Sequence, residues 1–467
     1  MSSTTIAATT TLENLFANQA AAFAAAPYPL GGERRRNLTR LLDAILAHQD
    51  ELATAIDHAF GGRSRDEVLF SEIYVAVNAI RHARRHLKGW MAPRPRHVGW
   101  ALQPAQAWVL PQPLGVVGII VPWNYPVFLS IAPLAGALAA GNRVLLKPSE
   151  FTPETSALLA KIISTTFSPD VVAVALGDAA IGRAFAALPF NHLLFTGATA
   201  VGRDVMRAAA EHLTPVTLEL GGKSPAIVAA DANLERAASD IVYGKLLNSG
   251  QTCIAPDYVL VPGASLRPFV EALRKAVKQY YPDGRYTSII NDKHYQRLRG
   301  YLDEAAARGV ETITLGATRG LPPTILIDPP EDLKVMREEI FGPILPLKTY
   351  DTIDQAIAYV NQHERPLALY LFTRSQQTID RVITRTISGG VCVNDTLLHI
   401  AAEDLPFGGV GPSGMGHYHG QEGFDTFSKL KPVFRRRWLG LGRMLRPPHT
   451  RLHDWMRRIL IRYPRFP

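Results

Sequence analysis

The two cysteines of this chain stand in different surroundings, and one of them is suited to nucleophilic chemistry. Cys253 lies in NSGQTCIAP, after a predicted helix and among glycine and proline residues that indicate a turn. A thiol in a polar turn can ionise and attack a carbonyl carbon, whereas an isolated cysteine is more often a small core residue. Cys392, between two valines in GGVCVN, fits the core description. Two cysteines form no disulfide framework, which favours a reducing compartment.

A carboxylate and a carboxamide occur where they can assist such a nucleophile. Glu219 stands between two leucines in PVTLELGGKSP, so the predicted strand would bury it. Burial raises the pKa of a carboxyl group toward neutrality, as a general base requires, although a buried carboxylate can also be a paired structural group. Asn124, between two prolines in VPWNYP, can donate to a developing oxyanion or can be an ordinary turn asparagine.

Two further motifs indicate phosphate or ribose binding. HLLFTGATAVGRDV places Gly197 at a strand-to-helix turn and Gly202 inside the helix, where free N–H groups and the helix dipole favour an anion. The spacing is not G-x-G-x-x-G, so an ordinary turn is also compatible with it. VLLKPSE puts Lys147 and Glu150 after a strand, where they can bind ribose hydroxyls or lie in a solvated loop.

The elements that must position these residues follow from the hydrophobic pattern. The first ninety residues read as helices, and from Gly115 short apolar runs alternate with helical segments, which is typical of a parallel α/β sheet that binds ligands at its carboxyl edge. A second α/β region extends from about 218 to 393 and contains a helix opened by Asp231. Strands are predicted at 98–102, 107–110, 116–121, 143–148, 171–176, 192–197 and 226–230, and helices at 153–167 and 181–188.

The apolar stretch 114–141 is long enough to cross a bilayer, but three prolines interrupt it. Strand, turn and buried helix explain it better. The N-terminus has neither the basic nor the apolar region of a secretory signal, so a cytoplasmic protein is expected.

The net charge of +9 is confined to one end of the chain. Residues 431–467 hold 11 of the 50 Lys and Arg and one of the 41 Asp and Glu, so this segment carries +10 and the remainder −1. Nucleic acid is therefore not the expected partner of the body, and any electrostatic partner belongs to the tail.

Taken in order, the motifs resemble those of the aldehyde dehydrogenase superfamily. Within it, the class-three branch and bacterial coniferyl aldehyde dehydrogenases are the most similar. The motifs are PWNYP, VLLKPSE, FTGATAVG, LELGGKSP, GQTC, EEIFGP and LPFGGVGPSGMG. The resemblance implies an α/β fold with a Rossmann-type parallel-sheet cofactor domain, an α/β catalytic domain and a small β oligomerisation element.

The resemblance also implies domain limits and residue roles. The cofactor domain would be 1–217 with a hairpin near 97–111, the catalytic domain 218–393, and the return to the cofactor domain and oligomerisation element 394–430, before the tail 431–467. Cys253 would be the nucleophile, Glu219 the base, Asn124 an oxyanion donor and Tyr125 a substrate contact. The NAD(P) contacts would be Pro122, Trp123, Lys147, Ser149, Glu150, Gly177, Thr196, Gly197, Val201, Gly202, Leu220, Glu339 and Phe341.

The implied reaction is NAD(P)-dependent oxidation of a hydrophobic aldehyde, aromatic such as coniferyl aldehyde or medium- to long-chain aliphatic, through a cysteine thiohemiacetal and thioester. NAD is the expected cofactor and no metal is expected. This chain has Ala198 where the family commonly has Ser, so one hydroxyl contact to the cofactor would be missing. Four alternatives remain: a CoA-acylating or phosphorylating relative, a membrane-associated fatty aldehyde dehydrogenase, a non-enzymatic module acting through its basic tail, and a purely structural protein. Glu219 argues against the first, because such a relative needs no base to activate water.

The partners expected are a second copy of the chain and, for the tail, either an anionic membrane or the partner subunit. In 450–463 the apolar residues fall on one helical face and most arginines lie off it. The predicted apolar face consists of Leu452, Trp455, Met456, Ile459, Leu460 and Tyr463.

Overall fold

The computed structural model of the protein describes residues 3–99, 102–316, 320–436, 447–448 and 450–462. The helices are α1 (Ser3–Ala25), α2 (Gly31–Ala47), α3 (Gln49–Phe60), α4 (Arg65–Val68), α5 (Val75–Trp90), α6 (Phe128–Ala140), α7 (Pro153–Thr166), α8 (Ala179–Ala186), α9 (Thr199–Ala210), α10 (Leu234–Leu246), α11 (Leu266–Tyr280), α12 (Asp292–Ala307), α13 (Lys334–Arg337), α14 (Ile353–Gln362), α15 (Gln376–Arg385), α16 (Gly420–Thr426) and α17 (Arg451–Arg462). A π-helix covers Leu69–Tyr74, and short 3₁₀ helices cover Leu247–Gly250, Gly263–Ser265 and Leu398–Ile400.

The strands are β1 (Arg94–Arg96), β2 (Ala105–Pro113), β3 (Val116–Ile120), β4 (Arg143–Lys147), β5 (Val172–Val174), β6 (His192–Thr196), β7 (Val216–Glu219), β8 (Pro225–Val228), β9 (Tyr258–Pro262), β10 (Thr312–Thr314), β11 (Thr324–Ile327), β12 (Ile344–Tyr350), β13 (Ala368–Phe372), β14 (Gly390–Val393), β15 (Gly414–Met415) and β16 (Ser428–Arg436).

The first sheet has the order β15-β7-β6-β3-β4-β5 and is parallel except for β15. Strands β3, β4 and β6 are buried along their whole length, as continuous apolar runs in a sheet covered on both faces should be. The expected strands at 116–121, 143–148 and 192–197 are confirmed, whereas the strand expected at 171–176 covers only Val172–Val174. Helix α6 is almost wholly buried, so the apolar stretch is indeed strand, turn and core helix.

The second sheet has the order β10-β11-β12-β9-β8-β13-β14 and is parallel except for β10. The helix after β8 begins later than the sequence suggested. Asn233, not Asp231, caps α10 by accepting a hydrogen bond from the Arg236 N–H at 3.1 Å. The Asp231 carboxylate instead accepts from the Thr373 hydroxyl and the Arg374 N–H at 2.7 and 2.8 Å. These donors are near because they follow β13, which pairs with β8 in the sheet.

A small third sheet has the order β1-β2-β16 and is antiparallel. It includes the predicted hairpin, but its first strand lies at 94–96, and none of the described residues of 98–102 belongs to a strand. Arg94 explains the shift, because both of its terminal nitrogens donate to Asp425 at 2.6 Å and hold the earlier segment against the return of the chain.

The predicted segments 1–217 and 394–430 meet at β7. The predicted boundary between 217 and 218 falls inside this strand, which continues to Glu219. Residues 414–415 return from the second region and pair with β7 as β15.

The tail contains α17, close to the predicted helix. Leu452, Trp455 and Ile461 are exposed. The side chains of Met456, Ile459 and Leu460 and the whole of Tyr463 lie outside the described residues. Over the part of the chain with assigned structure, none of the helices has the length and apolarity needed to cross a bilayer.

Candidate active site

Cys253 sits in a turn whose backbone is held from several directions. It follows the 3₁₀ helix Leu247–Gly250, in which Asn248 and Ser249 have φ of 49° and 52°. This backbone conformation is unfavourable for residues other than glycine, and it persists only where contacts with surrounding groups hold it. The Gln251 side chain does so, because its Nε2 donates to the carbonyls of Asn248 and Ser288 at 3.0 Å.

Two cavities meet at this cysteine, and among the described residues Cys253 is the one that lines both. The first holds about 730 Å³ of empty space, and the second about 630 Å³. The first is lined by Pro122, Trp123, Asn124, Thr196, Gly197, Ala198, Glu219, Leu220, Gly221, His294, Arg297, Glu339 and Phe341. The second, mostly apolar, is lined by Phe70, Ser71, Val75, Tyr125, Phe128, Leu129, Tyr243, Leu247, Thr252, Ile254, Leu397, Leu398, Ile400 and Ala401. Below they are called the polar cavity and the apolar cavity.

Glu219 ends β7 and reaches the polar cavity as a buried carboxyl group. Neither of its carboxyl oxygens has a hydrogen-bond partner among the described residues, and burial raises the pKa of Glu219 well above its usual range. Burial also raises the pKa of the Cys253 thiol, with the carboxylates of Glu339 and Glu219 adding to the effect. The thiol therefore needs a proton acceptor before it can attack, and an unpaired carboxylate near it can serve as one.

Asn124 follows β3 and is buried, and its amide is oriented by the cysteine loop. Its Nδ2 donates one hydrogen bond to the Gln251 carbonyl at 3.1 Å. A carboxamide nitrogen carries two N–H groups, so one donor is left for a group in the polar cavity.

The polar cavity and the sheet edge beside it together have the features that a dinucleotide needs. Helix α9 starts at its wall after Ala198, which offers no side-chain cap, so the first-turn N–H groups are available to an anion. A Cβ at Gly202 would come within 2.7 Å of the end of the Leu220 side chain, so glycine lets α9 pack closely against Leu220. At the end of β4, the buried Lys147 Nζ donates to Glu150 at 3.1 Å. These residues fit a cofactor with phosphate and ribose groups.

Two charged side chains, Arg297 and Asp257, hold the backbone at Glu339 and Ile340 in the wall of the polar cavity. Arg297 donates to the carbonyls of Glu339 and Ile340 at 3.2 and 2.8 Å, and the Ile340 N–H donates to Asp257 at 2.9 Å. Burial raises the pKa of Glu339 to about 8, and the Asp257 charge contributes. A Cβ on Gly221 would lie 2.1 Å from the Glu339 carboxylate, so only glycine permits this approach.

Phe341 adopts φ of 49° and packs its ring edge-on against Trp123 at 5.4 Å. A bulky residue in this conformation is strained, and such strain concentrates at ligand sites.

The structure brings most of the predicted site residues together. Cys253, Glu219 and Asn124 line the polar cavity with seven of the cofactor candidates, and Tyr125 lines the apolar cavity. Six other candidates, which lie along the same sheet edge or on α9, do not line the polar cavity. These are Lys147, Ser149, Glu150, Gly177, Val201 and Gly202. The Ser149 hydroxyl accepts a local hydrogen bond from the Phe151 N–H at 3.2 Å.

Sequence reasoning missed His294 and Arg297, which enter the polar cavity from α12, and almost the whole apolar cavity. His294 packs 5.3 Å from the Trp123 ring. The apolar residues look like ordinary core positions in the sequence, so no local signal separates them from the core. No group of three or more His, Cys, Asp or Glu side chains within the described ranges is arranged to hold a metal.

A doubly wound sheet with an anion-binding helix end, facing a thiol supplied by a second α/β unit, is the architecture of a dinucleotide-dependent α/β oxidoreductase. The chain belongs to the aldehyde dehydrogenase family, whose sequence model matches residues 3–433. It is an NAD(P)-dependent aldehyde dehydrogenase.

Similar proteins agree with this assignment. A probable coniferyl aldehyde dehydrogenase of Pseudomonas aeruginosa is 54% identical over 445 residues, which cover 94% of each chain. The structure of a substrate-bound Staphylococcus aureus AldH has a TM-score of 0.91 at 37% identity, covering 96% of this chain and 99% of that one. A Mycobacterium tuberculosis aldehyde dehydrogenase in complex with NAD⁺ has a TM-score of 0.84 at 28% identity, covering 92% and 91%.

Proposed function

We propose that this enzyme oxidises hydrophobic aldehydes, with coniferyl aldehyde or a similar aromatic aldehyde as the preferred class, to the free carboxylic acid. The observation that carries the proposal is the position of Cys253, which is shared by a polar and an apolar cavity. A substrate in the apolar cavity can present its carbonyl carbon to the thiol, while NAD(P) in the polar cavity lies on the other side. The similarity to a probable coniferyl aldehyde dehydrogenase supports the aromatic class.

In the proposed reaction the deprotonated Cys253 sulfur adds to the aldehyde carbonyl. The remaining Asn124 N–H and the Cys253 backbone N–H donate to the oxyanion of the thiohemiacetal. A bound NAD(P) would supply the hydride acceptor, and the residues of the polar cavity would hold it beside the thiohemiacetal. Glu219 then accepts a proton from the water that hydrolyses the thioester. The cofactor contacts proposed for Lys147, Glu150 and Glu339 fit a phosphate and two ribose groups, and NAD is the proposed preference.

The decisive experiment compares kcat/KM for coniferyl aldehyde, a medium-chain aliphatic aldehyde and glyceraldehyde, with product analysis in the absence of CoA. We expect the aromatic aldehyde to lead, the hydrophilic aldehyde to be at least about tenfold poorer, and free acid to be released. A preference for glyceraldehyde would contradict the substrate class. Dependence on CoA would instead indicate an acylating enzyme.

We further propose the predicted domain division and a homodimer assembled through the three-stranded sheet. Strand β16 is an edge strand of nine residues with Phe434 exposed, and an edge of this length is a template for pairing with another chain. Light scattering of the purified protein should give a mass of two chains, and a monomer at micromolar concentration would contradict the proposal.

The membrane hypothesis for the tail is supported by the exposed Leu452 and Trp455 of the predicted apolar face of α17 and by the charge of 431–467. We propose a cytoplasmic enzyme that binds anionic lipid through this segment, each basic residue contributing roughly 1 kcal/mol near the surface. Cosedimentation with phosphatidylserine vesicles should be lost on truncation after Lys431 and weakened by salt. If the full-length enzyme stays in the supernatant while truncation changes KM or dimerisation, the tail acts on the partner subunit.

A further inference from the structure

A single buried arginine connects the first helical region to the candidate active site. The Arg63 side chain is fully buried in the turn between α3 and α4. Its Nε donates to Glu67 at 3.0 Å, its Nη1 to Glu72 at 3.2 Å and to the Asn124 carbonyl at 3.1 Å, and its Nη2 to Ser71 at 2.9 Å. Four of its five N–H groups are thus used, which only the planar fork of a guanidinium can do.

The same network reaches the cysteine loop. Asn248, three residues before Gln251, donates from Nδ2 to the Asn124 carbonyl at 3.0 Å, beside the Arg63 contact. Its backbone N–H donates to the Glu67 carboxylate at 2.9 Å. Asn248 has the left-handed backbone described above, which needs such external contacts to persist. The carbonyl of Asn124 is therefore one of the points at which the two loops are joined, beside the bond from its own Nδ2 to the Gln251 carbonyl.

The network also fixes the start of α6. The second oxygen of Glu72 accepts from the N–H groups of Val127 and Phe128 at 3.0 and 2.8 Å. The guanidinium of Arg63 covers the Tyr125 ring with 4.5 Å between its central carbon and the ring centroid. The segment from Asn124 to Phe128 is thus held in place by Arg63 and Glu72.

We propose that Arg63 is a positioning residue for the oxyanion donor, which sets the placement of Asn124 relative to Cys253. The proposal rests on the roles proposed above for these two residues. Arg63 itself lines neither cavity. It contacts Asn124 of the polar cavity and also Ser71 and Tyr125 of the apolar cavity, so the KM for the aldehyde must be measured to separate a displaced Asn124 from altered substrate binding. A displacement of about 1 Å in a reacting geometry can cost roughly 10²-fold in rate.

The chain offers a matched control, because Arg34 is an equally buried arginine in a purely structural setting. It donates to the carbonyls of Pro29, Ala139 and Ala140 at 2.9, 3.1 and 2.7 Å, at the end of α6 that is remote from Asn124. Lysine at either position keeps the charge but loses the fork. Both substitutions should therefore lower the thermal midpoint.

The experiment compares R63K with R34K in the full-length enzyme. We expect R63K to slow the pre-steady-state formation of NADH by roughly 10- to 100-fold, with NAD affinity, the KM for the aldehyde and the rate of Cys253 alkylation by iodoacetamide close to wild type. Alkylation of Cys253 needs no oxyanion donor. A displaced Asn124 would therefore slow NADH formation alone, whereas a general distortion of the site would slow both NADH formation and alkylation. R34K should leave both rates unchanged.

Equal NADH burst rates in R63K and R34K would overturn the proposal, as would a parallel loss of alkylation in R63K. Should R63K fail to fold, N248G tests the same link, since glycine tolerates the positive φ and removes the side-chain donor to Asn124. A wild-type burst rate in N248G would then count against the proposal. The activity of the wild type and of C253A is measured first. An inactive wild type or an active C253A would contradict the proposed function itself, independently of the result for R63K.

Discussion

The polar cavity and the apolar cavity share Cys253 but are built from different kinds of structure. The polar cavity is lined mainly by strand ends, the turns after them and α12, with carboxyl groups such as Glu219 and Glu339 whose pKa values burial raises. The apolar cavity is lined by side chains of helices, of the loops at 125 and 252–254 and of the segment 397–401, which are far apart in the chain. The polar wall is thus built largely around one sheet, whereas the apolar wall is assembled from segments that are remote from one another in the sequence.

The largest effect should come from the residue that both cavities share. C253A should abolish turnover, by about 10⁴-fold or more, while NAD still binds in the polar cavity. C392A should remain active. Turnover assays and NAD titration by protein fluorescence check this, and substantial activity in C253A would remove the nucleophile from the mechanism.

The second effect separates the two half-reactions on the polar side. E219Q keeps the size of the side chain but cannot accept the proton, so hydrolysis of the thioester should slow by roughly 10²- to 10⁴-fold. A stoichiometric burst of NADH should precede slow turnover, with acyl-enzyme visible by mass spectrometry. Equal slowing of both phases without a detectable thioester would show that Glu219 activates Cys253 instead.

The third test narrows the apolar cavity alone. Val75 lines it at the start of α5, and V75F should lower kcat/KM for coniferyl aldehyde by roughly tenfold, as overpacking costs about 1–3 kcal/mol. A two-carbon aldehyde and the KM for NAD should be little affected. If all aldehydes lose activity equally, this cavity does not select the substrate.

A smaller effect is expected from E150Q at the polar side. Removing the negative charge beside Lys147 should improve the use of NADP relative to NAD by about fivefold, because a 2′-phosphate is no longer repelled. The ratio of kcat/KM values for the two cofactors is the measurement, with coniferyl aldehyde as the fixed substrate. An NADP preference in the wild type would show that Glu150 does not face the adenosine ribose.

The smallest effect concerns stability near the apolar cavity. Glu403 is buried close to Ile400 and Ala401, and burial raises its pKa to about 8. Unfolding releases its proton between its ordinary pKa and about 8, so the wild type should lose stability as pH rises through this range. E403Q lacks this loss and should be more stable than wild type by roughly 2 kcal/mol at pH 8 but not near pH 5. Urea unfolding at both pH values checks this, and a pH-independent difference would contradict it.

The sequence by itself determined the features that depend on neighbours in the chain. Buried strands, their helices and the turns carrying Cys253, Glu219 and Asn124 follow from local apolar runs and from glycine and proline punctuation. Glu219 could be recognised as unusual because a carboxylate in an apolar strand must be paired or functional. The structure places all three at one cavity, with Glu219 and Asn124 at the common carboxyl edge of the first sheet and Cys253 in the loop before β9 of the second sheet.

Only the tertiary structure decided which distant side chains complete the site. Val75 and Leu397 have the same apolar character as core residues, and only the packing of helices shows that they face a cavity. Arg63 has no motif, and its role follows from the carbonyl of Asn124 being brought to its guanidinium. Asn233 likewise caps α10 in place of Asp231, because the Asp231 carboxylate accepts a hydrogen bond from Thr373. Local patterns specify what a segment can form, whereas contacts between remote segments select which of its polar groups are used.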